Sequence, residues 1–317
     1  MSHSKFQALD QLKGPTLLAC STGGHLEEMY RLAEILNFDR NSRHWVTFRT
    51  DQSVGMLTGE STRFVEYISP RALGKAAMAL PQIFRAIRRS RAQTVVSTGA
   101  AIAVPAAIAA LALRRRFIYI ESITRFDGPS LSGRIVSYLP KTECLSQTRP
   151  WGQGKWEKGP SVLSDYTVQK IVNTKPIVNV FITLGTIKPY RFDRAIEALK
   201  EIIPDDVSVR LQYGSTSGAS PAGWTAREMI DDAEFRQNLH WADLVITHAG
   251  VGSTLNVLDA GKVPLLLVRE SKFNEHVDDH QRELANSMDE VGLANVLDLS
   301  DLNWNKMKET ANLLVEQ

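Results

Sequence analysis

The sequence predicts an α/β protein of two Rossmann-like, doubly wound domains facing a cleft, and three observations carry that prediction. The run Leu244-Val245-Ile246-Thr247 passes directly into His248-Ala249-Gly250-Val251-Gly252-Ser253-Thr254-Leu255-Asn256. This is a β-branched strand, a Gly-rich turn and an apolar helical pattern in succession. A turn of the same type stands near the N-terminus, where Thr16-Leu17-Leu18-Ala19-Cys20 runs into Ser21-Thr22-Gly23-Gly24-His25-Leu26-Glu27-Glu28. Between and beyond the two turns, strand-like and helix-like segments alternate as they do around a parallel sheet. At 317 residues the chain is long enough for two domains that each bury a core.

In the first half, strands are expected at Thr16–Cys20, His44–Phe48, Arg63–Ile68, Thr94–Ser97 and Phe117–Ile120, each a short apolar or β-branched run. Helices are expected at Leu26–Leu36, Leu73–Arg89 and Pro105–Leu113. The stretch Trp151–Pro160 is rich in Gly and charge, lacks periodicity, and reads as a linker reaching towards Pro176, which assigns the domains to 1–165 and 166–317. A second series follows: strands Val178–Thr183, Ser208–Tyr213, Leu244–Thr247 and Pro264–Val268, and helices Phe192–Ile203, Thr254–Ala260, His276–Ser287 and Asn303–Val315.

Composition excludes several classes. A hydrophobic content of 43% with 23% charged residues is that of a globular protein. The longest apolar run, Ala100–Leu113, contains Pro105 and is too short to cross a bilayer, and residues 1–13 lack a signal-peptide core. Cys20 and Cys144 show neither metal spacing nor a disulfide framework, which suits a reducing, cytosolic setting. The net charge of +2 conceals an asymmetry. Residues 1–160 hold 22 Lys and Arg against 12 Asp and Glu, and the remainder holds 15 against 23, so only the first half suits an anionic surface.

The two turns are the candidate sites. Glycines let a backbone approach phosphate closely, and the free N–H groups and dipole of a following helix favour negative charge. His248, Gly250, Gly252, Ser253 and Thr254 fit that description, and Gly185 with Thr186, ending another strand, is expected beside them. His25 follows Gly23-Gly24 and has an ordinary pKa of about 6.5, suited to deprotonating a hydroxyl. Glu121 ends the strand Phe117-Ile118-Tyr119-Ile120, where binding crevices of parallel sheets lie, and is a second catalytic candidate. Glu27 and Glu28 sit where the helix dipole favours carboxylates and read as structural. The pairs Asp205-Asp206, Asp231-Asp232 and Asp278-Asp279 read as solvated, and no Asp-x-Asp pair offers itself to a metal, so none is expected.

In combination these residues resemble glycosyltransferases of the family 28 type. The second half resembles their C-terminal domain, through Phe181-Ile182-Thr183-Leu184-Gly185-Thr186, Gln212-Tyr213-Gly214, Ala242 through Gly250, Gly252-Ser253-Thr254, Asp259-Ala260-Gly261-Lys262 and His280-Gln281. The first half, through Ser21–Glu28, Val95–Gly99 and Tyr119–Ser122, resembles the membrane-associated partner of two-subunit Alg13/Alg14-type enzymes. The chain looks like both partners fused, as in bacterial exopolysaccharide enzymes. The resemblance implies the GT-B architecture and an inverting transfer from a UDP-sugar, with glucuronic acid the first sugar expected. The acceptor implied is a polyprenyl-diphosphate-linked saccharide at the inner face of the cytoplasmic membrane.

The resemblance places His25 on the acceptor side and His280 and Gln281 against the donor sugar. Asn256 stands where the related murein transferase has a ribose-binding Glu; it can still hydrogen-bond a hydroxyl but is neutral and shorter. No cofactor is implied beyond the donor. The segment Pro70–Arg91, basic and apolar without an acid, together with Arg114-Arg115-Arg116, suits an interfacial helix on an anionic membrane. Nucleic acid is not an expected partner, because aromatic residues are not interleaved with these charges. The alternatives are a UDP-sugar 2-epimerase and a non-catalytic UDP-sugar-binding or scaffold subunit. A dinucleotide-dependent oxidoreductase is disfavoured, since neither turn reads G-x-G-x-x-G with a downstream acid.

Overall fold

The computed structural model describes residues 14–69, 73–148, 151, 155–171, 176–185, 189–216, 221–276 and 280–316. The chain divides into two compact units, Met1–Ser164 and Asp165–Gln317.

The first unit is built on a parallel sheet of β1 (Thr16–Ala19), β2 (Arg43–Phe48), β3 (Ser61–Val65), β4 (Thr94–Ser97), β5 (Arg116–Glu121), β6 (Thr142–Ser146) and β7 (Trp156–Lys158). Its spatial order is β3-β2-β1-β4-β5-β6-β7, so the winding reverses between β1 and β4. Parallel strands covered by helices on both faces need apolar residues on both, and β1 and β4 are buried along their whole length. The helices are α1 (Gly24–Ile35), α2 (Asp51–Met56), α3 (Leu73–Ser90), α4 (Ala103–Ala112) and α5 (Leu131–Tyr138). One core joins Leu17, Ala19, Val46, Val95, Phe117 and Tyr119 to Ala79, Ile83 and Ile87 of α3, to the small side chains of α4 and to Val136 of α5.

The second unit repeats the plan. It contains β8 (Thr167–Lys170), β9 (Asn179–Thr183), β10 (Ser208–Gln212), β11 (Thr225–Arg227), β12 (Leu244–His248), β13 (Leu265–Leu267), β14 (Asn295–Val296) and β15 (Leu313–Glu316). Its helices are α6 (Asp193–Ile202), α7 (Asp232–Trp241), α8 (Val251–Asp259), α9 (His280–Glu290) and α10 (Trp304–Ala311). The parallel sheet runs β11-β10-β9-β12-β13-β14 and reverses between β9 and β12. Open parallel sheets bind ligands beyond the carboxyl ends of the strands at such a reversal. The Gly23-Gly24 turn follows β1, and the His248–Gly250 turn ends β12, so both candidate sites stand at reversal points.

Strands β6, β11 and β14 and helices α2, α5 and α7 have no counterpart in the expected series, and two segments take a different structure from the one expected. Trp156–Lys158, expected in a linker, is strand β7, paired with β6 through Cys144 and Trp156. Trp156 packs edge-on against Tyr119 at 5.9 Å and Trp151 at 5.1 Å, and that aromatic burial draws a polar segment into the sheet. The helix expected to run to Val315 stops at Ala311, and Leu313–Glu316 pairs antiparallel with β8, itself within the expected linker. The apolar residues Leu313, Leu314 and Val315 satisfy a helical pattern and a strand equally, and only the partner strand decides between them.

Candidate active site

At the first reversal point, the turn before α1 is clamped by Gln52, whose Oε1 accepts from the Gly23 N–H at 2.7 Å. His25 opens α1, and its Nδ1 lies 2.9 Å from the Thr98 carbonyl beyond β4. A carbonyl only accepts, so Nδ1 carries the proton and Nε2 is the basic nitrogen. Thr98 returns a hydrogen bond from its hydroxyl to the His25 carbonyl at 2.9 Å, so the reversal itself fixes the ring. Burial draws the imidazole pKa down to about 4; the Thr98 carbonyl opposes this and the Arg125 charge adds to it. The ring is therefore neutral at physiological pH.

Glu121, at the end of β5, is buried and engaged within its own unit. Its carboxylate accepts from the Tyr119 hydroxyl at 3.0 Å, from Ser130 N at 2.8 Å and from Ser130 Oγ at 3.0 Å. Ser130 is the N-cap of α5. Burial raises its pKa, against the pull of those donors. This arrangement suits a carboxylate that positions neighbours rather than one that exchanges protons with an acceptor.

Glu28, read from the sequence as structural, is fully buried. Its Oε1 accepts from Ser122 Oγ at 2.6 Å, and its Oε2 accepts from Ile123 N at 3.3 Å and Gln147 Nε2 at 2.7 Å. One side chain thus ties α1 to the loops beyond β5 and β6. Burial pushes its pKa up to about 7, only partly offset by these donors and reinforced by the charge of Glu121. Because the folded value lies above the ordinary 4.5, Glu28 favours folding fully below that value and loses the contribution as pH rises to about 7. His25 and His248, both lowered, slope the other way, losing stability as pH falls below 6.5. Glu28→Gln, which keeps the shape of the protonated acid, should gain on wild type by roughly 3 kcal/mol between pH 4.5 and 7.5. Urea unfolding at several pH values measures the difference, and a gap that does not change with pH would refute the assignment.

At the second reversal point, His248 ends β12 and is 8% exposed. Gly185 (φ +82°) and Gly250 flank its ring; a Cβ at 185 would lie 2.7 Å from the imidazole, and one at 250 would be closer still. Burial draws the His248 pKa down to about 3, helped by the Arg269 charge, so it too is neutral. Gly250 caps α8 without a side-chain hydrogen bond, leaving first-turn N–H groups for an incoming acceptor. Gly252 and Ser253 are partly exposed on this turn and Asn256 on the next, while Thr254 is buried. Among the described residues, His248 Nδ1, Thr254 Oγ1, Gln281 Oε1 and Arg269 Nε are buried without hydrogen-bond partners. Native proteins rarely leave such atoms unsatisfied; Thr47 Oγ1 and Asp193 Oδ1 share the property, and the concentration of these four in the second unit makes the turn a candidate site.

Where a helix was expected at His276–Ser287, α9 runs His280–Glu290 with His280 its first residue, and a 3₁₀ turn at Ser271–Phe273 and a left-handed Asn274 (φ +56°) stand before it. Thr186 and Asp278-Asp279 lie outside the described residues. Asp205, Asp206, Asp231 and Asp232 are exposed, Asp231 capping α7 by accepting from Glu234 N at 2.8 Å.

Residues 179–315 match the glycosyltransferase family 28 C-terminal domain. A UDP-N-acetylglucosamine--N-acetylmuramyl-(pentapeptide) pyrophosphoryl-undecaprenol N-acetylglucosamine transferase of Marinobacter nauticus is 24% identical over 311 residues, covering 88% of this chain and 82% of its own. The chain is a glycosyltransferase of GT-B architecture whose second unit is similar to the family 28 C-terminal domain. In fold, the transferase is similar to the crystal structure of MurG from Acinetobacter baumannii (TM-score 0.59, 18% identity, covering 94% and 93% of the two chains). It is also similar to the UDP-GlcNAc 2-epimerase of Methanocaldococcus jannaschii (TM-score 0.54, 12% identity, 94% and 97%), so the architecture alone does not separate transfer from epimerisation.

In the transferase, sequence reasoning missed Glu28 and Arg269. Glu28 was visible as the second carboxylate after Gly-Gly-His, on the α1 face shared with Met29 and Leu32, both fully buried. Arg269 follows the apolar run Val263–Val268, where a charge stands out against its surroundings.

Proposed function

We propose that the transferase moves a sugar from a UDP-sugar to a polyprenyl-diphosphate-linked saccharide, with inversion, at the inner face of the cytoplasmic membrane. The observation that carries this reading is the set of unsatisfied polar atoms around the His248–Thr254 turn, in a domain whose curated relative takes UDP-N-acetylglucosamine. His25 Nε2 removes the proton from the acceptor hydroxyl; that oxygen attacks the anomeric carbon, and the bond to the diphosphate breaks with its electrons passing to UDP. The α8 N-terminus with Ser253 and Thr254 stabilises the departing charge, Gly185 and Thr186 approach the diphosphate, Asn256 meets the ribose, and His280 and Gln281 meet the sugar. An α-donor gives a β-linkage, and no metal is required. Glu121 enters as the group that holds Tyr119 and Ser130.

Glucuronic acid is the first donor sugar in the proposal, within exopolysaccharide or capsule assembly. N-acetylglucosamine is the second, favoured by the curated relative. A panel of UDP-sugars, with and without a short-chain lipid-linked acceptor, tests the reading. UDP release and a new lipid-linked product only with acceptor support it; an epimerised donor without acceptor, or binding without turnover in any mixture, overturns it. A cognate donor at 100 times its Kd should add about 2.7 kcal/mol of stability, which ranks the panel by thermal shift.

The membrane role is supported by charge and exposed apolar side chains together. Among the described residues no helix is long and apolar enough to cross a membrane. Arg85, Arg88 and Arg89 are exposed on α3, with Arg91 just beyond it. On α5, Leu131, Ile135 and Tyr138 are exposed at helical spacing, and α4 packs against both helices. Replacing Arg85, Arg88, Arg89 and Arg91 with Gln should release the protein from anionic vesicles, since each cation contributes about 1 kcal/mol there. Turnover of a soluble short-chain acceptor should persist. Equal co-sedimentation of variant and wild type would remove the membrane from the proposal.

A further inference from the structure

Arg269 stands two residues beyond the end of β13, the strand that neighbours β12, and is 1% exposed. Its Nη2 donates to the Leu184 carbonyl, immediately before Gly185, and its guanidinium lies 5.7 Å from the centre of the Phe192 ring. Its Nε is buried without a partner. Among the described residues no carboxylate pairs with it. The acid it senses, Glu275, is held bidentately by Arg194, with Nε and Nη2 each 2.8 Å from a carboxylate oxygen. Burial draws even this guanidinium down to about 10, and its field helps keep His248 neutral. A buried cation without a counter-ion is costly to fold around, and fixed charges of this kind are retained where an anion arrives. The neighbours sharpen the point. His248 Nδ1 and Thr254 Oγ1 are unsatisfied, and the glycines at 185 and 250 keep backbone close to the imidazole.

We infer that Arg269 is the fixed positive charge of the donor site, a positioning residue that holds the Leu184–Gly185 turn and, through its field, favours a nucleoside diphosphate over the neutral nucleoside. The inference rests on the reading of this turn as a UDP-sugar site. Its effect belongs to the phosphates, so it is separable from a packing role. Arg269→Met keeps an apolar stem without charge or donors, and Arg269→Lys restores the charge.

The test is calorimetric titration of wild type and both variants with UDP, UMP and uridine, with circular dichroism and thermal unfolding to establish folding. Arg269→Met should weaken UDP by about 10-fold or more, UMP less, and uridine by less than about twofold, because a field in a low-dielectric site acts on charge. Arg269→Lys should return UDP to within about fivefold of wild type. A folded Arg269→Met that binds UDP like wild type overturns the inference. Should Met at 269 not fold, Lys decides: UDP binding near wild type supports it, and equal losses for UDP and uridine overturn it. Wild type that binds no UDP overturns the donor-site reading itself, and this inference with it.

Discussion

Alanine at Gly250 is expected to abolish donor binding. The new Cβ would fall on His248 Nε2, and the imidazole has nowhere to yield, since it is 8% exposed and Gly185 closes its other side. Either the ring swings out or the N-terminus of α8 moves, and both disturb the N–H groups that the proposal assigns to the diphosphate. Overpacking of this kind destabilises by about 1–3 kcal/mol. Displacing the cradle should weaken UDP by about 100-fold or more, as several charge-assisted hydrogen bonds at roughly 1.5–3 kcal/mol each lose their geometry. Gly252, two residues on, is the internal contrast. A Cβ there meets open space inside a helix, so Gly252→Ala should be neutral or stabilising by about 0.5–1 kcal/mol. Calorimetry and urea unfolding on the two variants decide the matter. Unchanged UDP affinity in a folded Gly250→Ala would remove this turn from the donor site.

His25→Ala should lower turnover by about 10²–10⁴-fold with UDP affinity almost unchanged, because the proposed mechanism has the imidazole act on the acceptor hydroxyl. Its ionisation makes the expectation sharper. Burial holds the folded pKa at about 4, and the proposed base is the neutral ring. The wild-type kcat/KM profile should therefore stay flat as pH falls through 6.5, the ordinary histidine value, and drop only towards pH 4. An acid limb near 6.5, or a near-normal rate in His25→Ala, would return His25 to a structural role. Thr98→Val offers a milder check, since it removes the hydroxyl bond to the His25 carbonyl but leaves the Thr98 carbonyl that fixes the tautomer.

Much of the architecture was legible in the residues because parallel strands buried on both faces must be short apolar runs. Thr94–Ser97 is found where it was expected, and β1 and β9 differ from expectation by a single residue at one end. The Gly-rich turns were legible for a related reason. A strand that ends in glycine and restarts as a helix has few uses, and His25 and His248 are written next to those glycines in the chain.

By itself, then, the sequence determined the fold class, the two turns and their histidines. These depend on local period and on neighbours within a few residues, which a string records directly. Tertiary structure decided which nitrogen of His25 is basic, because the Thr98 carbonyl lies 73 residues away. It decided that Glu28 is a buried tie, through partners 94 and 119 residues distant. It made strands of Trp156–Lys158 and Leu313–Glu316, whose ladder partners alone distinguish them from linker and helix. It also decided that the charge of Arg269 is buried with no counter-ion among the described residues, because burial and pairing are properties of the packed chain. Hydrogen bonds and desolvation are settled by what surrounds a group in space, and that is the information a linear pattern does not carry.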